Sequence, residues 1–146
     1  MTSKIAALVL LAAAYLAAQE PSSPGHTLTV EIKGLRSSSG KVGVSLFNSA
    51  SGFPREGKQA VAQKWAAISG TSATATFSNL DPGVYAVAAM HDENGNGKLD
   101  TNLFGIPKEG YGASNNAKGR LGPPSFDAAK FDLTDSSKTV EIQTQY

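Results

Sequence analysis

The segment HDENGNGKLDTN, residues 91 to 102, concentrates side-chain oxygens in a short stretch that two glycines interrupt. In a loop that wraps a calcium ion, alternate residues point inward, a glycine at the sixth position permits the sharp turn, and the seventh residue gives its backbone carbonyl. Counted from the first Asp, the oxygen-bearing residues occupy the first, third, fifth and ninth positions. The spacing therefore predicts a calcium site with these ligands: Asp92, Asn94, Asn96, Lys98 through its carbonyl, and Asp100.

The twelfth position of this loop is Leu103, where a helix-loop-helix calcium site has a bidentate Glu. The preceding GVYAVAAM also has the composition of a strand, so a different scaffold is expected. Calcium takes six to eight oxygens, and we expect Glu109, the nearest acid downstream, to supply a further ligand, with Asp81 and Asp127 as alternatives. With so few carboxylates, the expected Kd is on the order of 10⁻⁴ to 10⁻³ M.

A hairpin without metal is the alternative reading of the same residues. Asn94-Gly95 and Asn96-Gly97 are strong turn formers that adopt the positive φ angles of two-residue hairpins. Asp is itself a common turn residue. The sequence leaves the choice between a calcium loop and a bare turn open.

His91, next to Asp92, is interpreted as a structural residue with hydrogen-bonded ring nitrogens. The sequence has no Gly-x-Ser-x-Gly motif to mark an activated hydroxyl, so no catalytic residue is predicted. The alternative is an enzyme or a carbohydrate-binding protein with a site under residues 101 to 127, formed by His91, Glu109 and Tyr111. A cleft joining His91 to Glu109 would favour that alternative.

Short alternating strands surround this motif. Leu28, Val30 and Ile32 alternate with polar residues, and residues 41 to 49 repeat the pattern, so the two segments are predicted to form a hairpin. Residues 50 to 70 do not decide between a helical turn and a strand. Another alternating strand follows, and a DPG turn leads into GVYAVAAM, which is predicted to be a central strand buried on both faces.

Residues 101 to 127 contain five Gly and three Pro, and they predict one long loop. Phe104, Tyr111 and Phe126 are expected to pack this loop against the body of the domain. AKFDL and TVEIQTQ then predict two closing strands. Together these patterns predict an all-β protein, an antiparallel β-sandwich of six to seven strands.

The N-terminal residues predict export. Lys4 precedes an apolar run from Ile5 to Ala18, which is typical of a secretory signal peptide and short for a membrane-spanning helix. We expect a signal peptide over 1–18, a flexible leader over 19–27 and one sandwich domain over 28–146. The expected location is the periplasm or the exterior, with no integral membrane segment after cleavage.

Loss of Lys4 would leave 12 basic and 12 acidic residues, which argues against a nucleic-acid partner. The chain contains no Cys, so neither disulfides nor thiol chemistry is available.

The sequence resembles a bacterial family of small exported proteins catalogued as a domain of unknown function. FSNLDPGVYAVAAM and the HDENGNGKLD to GIPKEGYG region carry the resemblance, which covers about residues 27 to 143. Ala113 departs from it, since an aromatic residue is expected after Tyr-Gly. The resemblance implies a single exported domain without an established activity.

A more distant similarity is to transthyretin-like and collagen-adhesin B-type sandwiches, some of which hold calcium in an Asp-x-Asn-x-Asn/Asp-Gly loop. The Tyr-Arg-Gly-Ser ending of the transthyretin-like hydrolases is missing from EIQTQY, so their activity is not implied. The sequence thus predicts an exported, non-catalytic module with a calcium-binding loop, for recognition of a protein or glycan partner or for envelope support.

Overall fold

The computed structural model describes residues 25–146, so the expected signal peptide and residues 19–24 of the expected leader lie outside the described part. The described chain consists mainly of β-strands, with two 3-10 helices and one short α-helix. In chain order the strands are β1 His26–Lys33, β2 Lys41–Phe47, β3 Ala62–Ala66, β4 Ile68–Ser69, β5 Ser72–Leu80, β6 Gly83–Asp92, β7 Tyr111–Ala113, β8 Phe131–Leu133 and β9 Ser137–Gln143. The 3-10 helices span Gly57–Gln59 and Ser114–Asn116, and helix α1 spans Phe126–Ala129.

The strands form two sheets, in the orders β4-β5-β1-β9 and β3-β2-β6-β7, and β8 pairs with the beginning of β6. All the pairs are antiparallel except β1 with β9, which run parallel. The prediction of an all-β sandwich rich in antiparallel pairs is confirmed. The described residues contain nine strands rather than six or seven, because β3 and β4 lie in residues 50–70, which the pattern left undecided, and β7 lies in the predicted long loop.

The hydrophobic core lies between the two sheets. The inward residues of β1, Leu28, Val30 and Ile32, are fully buried in one cluster with the inward residues of β2. In β6, the consecutive residues Ala86 and Val87 are both fully buried, and consecutive strand residues point to opposite faces. The prediction that β6 is buried on both faces is therefore confirmed.

The predicted hairpin of β1 and β2 is wrong. The neighbours of β1 are β5 and β9, whereas β2 pairs with β3 and β6 in the other sheet. The connection crosses between the sheets, and its Leu35 is buried in the shared core. Alternation shows that a strand has one buried face but does not identify its partner, so two strands of different sheets gave the pattern of a hairpin.

Two predicted boundaries also change. Strand β1 begins at His26, inside the segment assigned to the leader, because its pairing with β5 extends to His26 opposite Leu80. The predicted loop of residues 101–127 contains β7, the second 3-10 helix and the start of α1, because β7 pairs with β6. Among residues 25–146, none of the helices has the length and apolar character needed to cross a membrane.

Candidate functional site

Asp92 is the last residue of β6 and the first of a segment that we call the polar loop, residues 92–100. It pairs with Lys41 of β2, and its side chain is fully buried. One carboxylate oxygen accepts the Asn96 N–H at 3.1 Å, and the other accepts the Gly97 N–H at 2.8 Å. Gly97 has a φ of +81°, a left-handed conformation that favours glycine. The sequence motif thus folds as a loop wrapped around the Asp92 carboxylate.

Asp100 closes the polar loop from the opposite end through the two asparagines. The side-chain amide of Asn94 donates to one Asp100 oxygen at 2.5 Å, and that of Asn96 donates to the other at 2.9 Å. The amide oxygens of Asn94 and Asn96 accept the backbone N–H groups of Asn96 and Lys98 at 3.1 and 2.9 Å. The structure therefore joins the side chains of Asn94, Asn96 and Asp100, whereas Asp92 contacts the backbone of the loop.

Glu109 joins the polar loop from the segment that follows it. This side chain is buried, and its two oxygens accept the Glu93 and Asp100 N–H groups, each at 3.0 Å. Glu93 and Asp100 lie near opposite ends of the loop. The carboxylate of Glu109 therefore ties the two ends together.

The oxygens of the site suit a hard cation in type, since calcium prefers carboxylate and amide oxygens. Within residues 25–146, however, no three His, Cys, Asp or Glu side chains form a group placed to hold a metal ion. Asn94 and Asn96 direct their amide nitrogens at Asp100, so coordination would require rotation of these amides. Asp92 and Glu109 can accept N–H groups and still bind a cation, because each carboxylate oxygen has two lone pairs. Lys98, whose carbonyl is the remaining predicted ligand, lies in the exposed part of the loop.

His91 immediately precedes the polar loop in β6 and is buried. Its Nε2 is 2.7 Å from the Ser39 carbonyl, so Nε2 carries the proton and donates it. Its Nδ1 is 2.7 Å from the Tyr146 hydroxyl, which then donates to it and accepts the Arg36 N–H at 3.0 Å. Both ring nitrogens are thus satisfied in the neutral state, in agreement with the structural interpretation of His91.

Arg36 links this network to Glu93. The guanidinium donates to the two Glu93 oxygens at 2.7 and 3.1 Å and to the Lys108 carbonyl at 3.1 Å. It also lies 4.4 Å from the centre of the Tyr146 ring, in cation–π geometry. The hydrogen bond from Arg36 lowers the pKa of Glu93 and raises that of Arg36, while burial raises the pKa of Tyr146. The first half of the polar loop is therefore held to the turn after β1.

A shallow cleft of about 580 Å³ lies beside these groups. Glu109 contributes to its wall, but His91 and Tyr111 do not, and Tyr111 lies in β7 opposite Met90. A cleft joining His91 to Glu109 would have favoured a catalytic site. This cleft does not join them, because His91 is not among its lining residues. The lining residues are Arg36, Ser39, Glu93, Asn94, Asp100, Thr101, Lys108 and Glu109.

The next segment, residues 103–106, projects from the protein and is called the apolar tip. Leu103 is 101% exposed, Phe104 86% and Ile106 59%. The expectation that Phe104 packs the loop against the sandwich is wrong. Phe126 does pack inward, with its ring centre 5.9 Å from that of Phe53.

The backbone of the apolar tip is ordered by Asn102. Its side-chain oxygen accepts the N–H groups of Phe104 and Ile106 at 2.9 and 3.0 Å. Its backbone N–H donates to the Ile106 carbonyl at 2.8 Å, and its carbonyl accepts the Gly105 N–H at 3.0 Å. A bridge between Thr101 and Pro107 closes the base of the tip.

Sequence reasoning missed Arg36, Glu93 and Tyr146. Arg36 lies 57 residues before Glu93, and Tyr146 lies 55 residues after His91. Arg36 and Tyr146 lie outside the loop motif and Glu93 occupies a position of it that is not a predicted ligand, so only the fold brings the three together. One signal was available in the sequence: Glu93 is a charged residue inside the predicted loop. A charge that is partly buried there needs a partner of opposite charge, which the structure supplies as Arg36.

The fold and the site define a small β-sandwich with an acidic, asparagine-rich loop at the end of a central strand. The chain belongs to the family DUF2141, described as an uncharacterized protein conserved in bacteria, whose model matches residues 30–141. No curated protein and no solved structure matches the chain. The similarity to transthyretin-like and collagen-adhesin B-type sandwiches therefore stays a prediction.

Proposed function

We propose that this protein is an exported, non-catalytic β-sandwich module whose polar loop binds calcium, and that it serves in recognition of a protein or glycan partner or in envelope support. The observation that carries the calcium proposal is the convergence of Asn94, Asn96 and Asp100 side chains in a loop folded around buried Asp92. Glu109 adds a third carboxylate to this set.

Weak affinity is consistent with the contacts inside the loop. The amide nitrogens of Asn94 and Asn96 already neutralise part of the charge on Asp100, and a cation must displace them. We therefore retain the range of about 10⁻⁴ to 10⁻³ M expected for extracellular calcium modules. Export would supply calcium at such concentrations.

The non-catalytic part of the proposal is supported by the contacts of His91. Its two ring nitrogens are engaged by Tyr146 and Ser39, and the ring is shielded from solvent. A general base must reach the proton that it removes from a substrate. His91 has neither a free ring nitrogen nor an exposed one.

Thermal unfolding of residues 19–146, which include all nine described strands, tests the calcium proposal. Scans are run in chelator, in millimolar calcium and in millimolar magnesium. Calcium at about a hundred times the Kd stabilises the folded state by about 2.7 kcal/mol, which raises Tm by several degrees. We expect this rise with calcium and a smaller one with magnesium, which demands a stricter octahedral geometry.

Asp100→Asn is the matching variant, because it preserves the shape of the side chain and removes its charge. Asp132→Asn is the control, since Asp132 is exposed on β8, which pairs with the opposite end of β6. Asp100→Asn should lose the calcium-dependent rise, and Asp132→Asn should keep it. An equal Tm of the parent in calcium and in chelator would refute calcium binding.

Export is tested by the mass of the protein recovered from the periplasm or the medium. Removal of about residues 1–18 is expected from the apolar run that ends at Ala18. Recovery of the chain with those residues still attached would contradict the proposal.

A further inference from the structure

The apolar tip is a concentration of exposed hydrophobic side chains within four residues. A single exposed apolar residue is ordinary, but a contiguous group marks a surface that binds a partner or a membrane. The exposure of Leu103 and Phe104 is close to that of residues with no neighbours at all. The group therefore protrudes as a wedge and does not form a flat patch.

The backbone of the tip is prepared for an apolar environment. An unpaired backbone N–H is costly to remove from water, so a segment that enters lipid must satisfy these groups internally. The N–H groups of Asn102, Phe104, Gly105 and Ile106 are all bonded within the tip, and Pro107 has none. Transfer of the tip out of water would thus leave only the Leu103 N–H, among the N–H groups of residues 102–106, without a hydrogen bond inside the protein.

The charges around the tip are arranged with the cations outward. Lys98 and Lys108 are exposed, and Lys108 follows the tip by two residues. The nearby carboxylates are engaged within the protein: those of Asp92 and Glu109 are buried on backbone N–H groups, and that of Glu93 is paired with Arg36. The carboxylate of Asp100 accepts the side-chain amides of Asn94 and Asn96. The groups that face outward beside the tip therefore suit anionic headgroups.

We infer that the apolar tip inserts into the interfacial region of a phospholipid bilayer, with Lys98 and Lys108 against anionic headgroups. A bilayer accepts a wedge of this kind without a complementary pocket, and an apolar face at an interface enters by about 5–10 Å. The insertion goes beyond the calcium proposal and does not require it.

Cosedimentation with vesicles tests this inference, with residues 19–146 in chelator and vesicles of equimolar phosphatidylcholine and phosphatidylglycerol. The parent should bind, and Leu103→Ser should bind about tenfold more weakly, because it removes one inserted leucine. Leu121→Ser is the matched control, since Leu121 is 104% exposed outside the tip. It should bind within about twofold of the parent.

Insertion is distinguished from electrostatic adhesion by fluorescence. Trp65 is the single tryptophan, so Trp65→Phe with Phe104→Trp places the only reporter at the tip. Its emission should shift to the blue on vesicle addition and be quenched by lipids brominated on the acyl chains. Binding without that quenching would overturn insertion.

Equal binding of Leu103→Ser and Leu121→Ser would also overturn the inference. So would an absence of vesicle binding, and so would self-association of the parent that Leu103→Ser abolishes, because the tip would then contact a second copy. Because the assay is made in chelator, failure of vesicle binding and failure of the calcium-dependent rise in Tm are separate results.

Discussion

The polar loop and the apolar tip are neighbouring segments that relate to the rest of the protein in opposite ways. Asparagine side chains make the turns in both, through Asn94 and Asn96 in the loop and Asn102 in the tip. The loop is fastened to buried carboxylates of the body, whereas the hydrogen bonds of the tip are local. A turn motif therefore defines local shape, and the acceptors around it decide whether the turn contributes to the stability of the fold.

Asp92→Ala should give the largest effect on stability. The Gly97 N–H loses its acceptor and the Asn96 N–H keeps only Asn94, so the free energy of unfolding in chelator should fall by about 2 kcal/mol. Leu103→Ser in the tip should change it by less than about 0.5 kcal/mol. Urea unfolding monitored by circular dichroism measures both. Similar decreases in the free energy of unfolding for the two variants would contradict the claim that the polar loop stabilises the fold and the apolar tip does not.

Glu109→Gln should give an intermediate effect of about 1 kcal/mol. One oxygen remains as an acceptor, but the new amide nitrogen faces the N–H group of Glu93 or Asp100. Amide hydrogen exchange should become faster at these two residues and stay unchanged in the tip. Glu141→Gln, at an exposed site on β9, is the control. Unchanged exchange at both residues would show that Glu109 does not tie the ends of the loop.

The pair of Glu93 with Arg36 should give the smallest effect, visible as a dependence on pH. Because folding lowers the Glu93 pKa from its ordinary 4.5, the ionised carboxylate favours the folded state at neutral pH. This contribution is lost as the pH falls below 4.5 through the folded value. Tm of the parent should therefore exceed that of Glu93→Gln at neutral pH and approach it in acid. A difference that stays constant over this range would contradict the assignment.

High salt should also reduce that difference, because Arg36 and Glu93 are partly exposed and such pairs are screened. The small effect of Leu103→Ser in the tip should depend on neither pH nor salt. Glu93→Gln thus measures the charge-dependent anchoring of the polar loop. Leu103→Ser measures the tip, whose contribution to stability does not depend on charge.

Much of the fold could be predicted from periodicity. The alternation of Leu28, Val30 and Ile32 correctly indicated a strand with one buried face, and the apolar run of β6 indicated a central strand. Partners could not be read in the same way, since β1 and β2 belong to different sheets. Which strands pair depends on all the strands that pack around the core. The pattern of one strand therefore does not identify its partner.

The candidate site could be predicted where its residues are close in sequence. Asn94, Asn96 and Asp100, which the spacing singled out, are joined by side-chain hydrogen bonds, and Asp92 accepts backbone N–H groups of the same loop. Whether these residues hold calcium stays a prediction. The contact of Arg36 with Glu93 depends on the arrangement of the sheets. Phe104 was misjudged because hydrophobicity predicts burial only where the body offers a surface to pack against.

The parallel pairing of β1 with β9 has a consequence for how the protein folds. Thr27 lies beside Ser137, and the register holds to Lys33 beside Gln143, so each pair is separated by 110 residues. Closure of so long a segment is entropically costly and slows folding. During synthesis, β1 lacks this neighbour until residues 137–143 emerge. Completion of that sheet is therefore delayed until β9 has been synthesised.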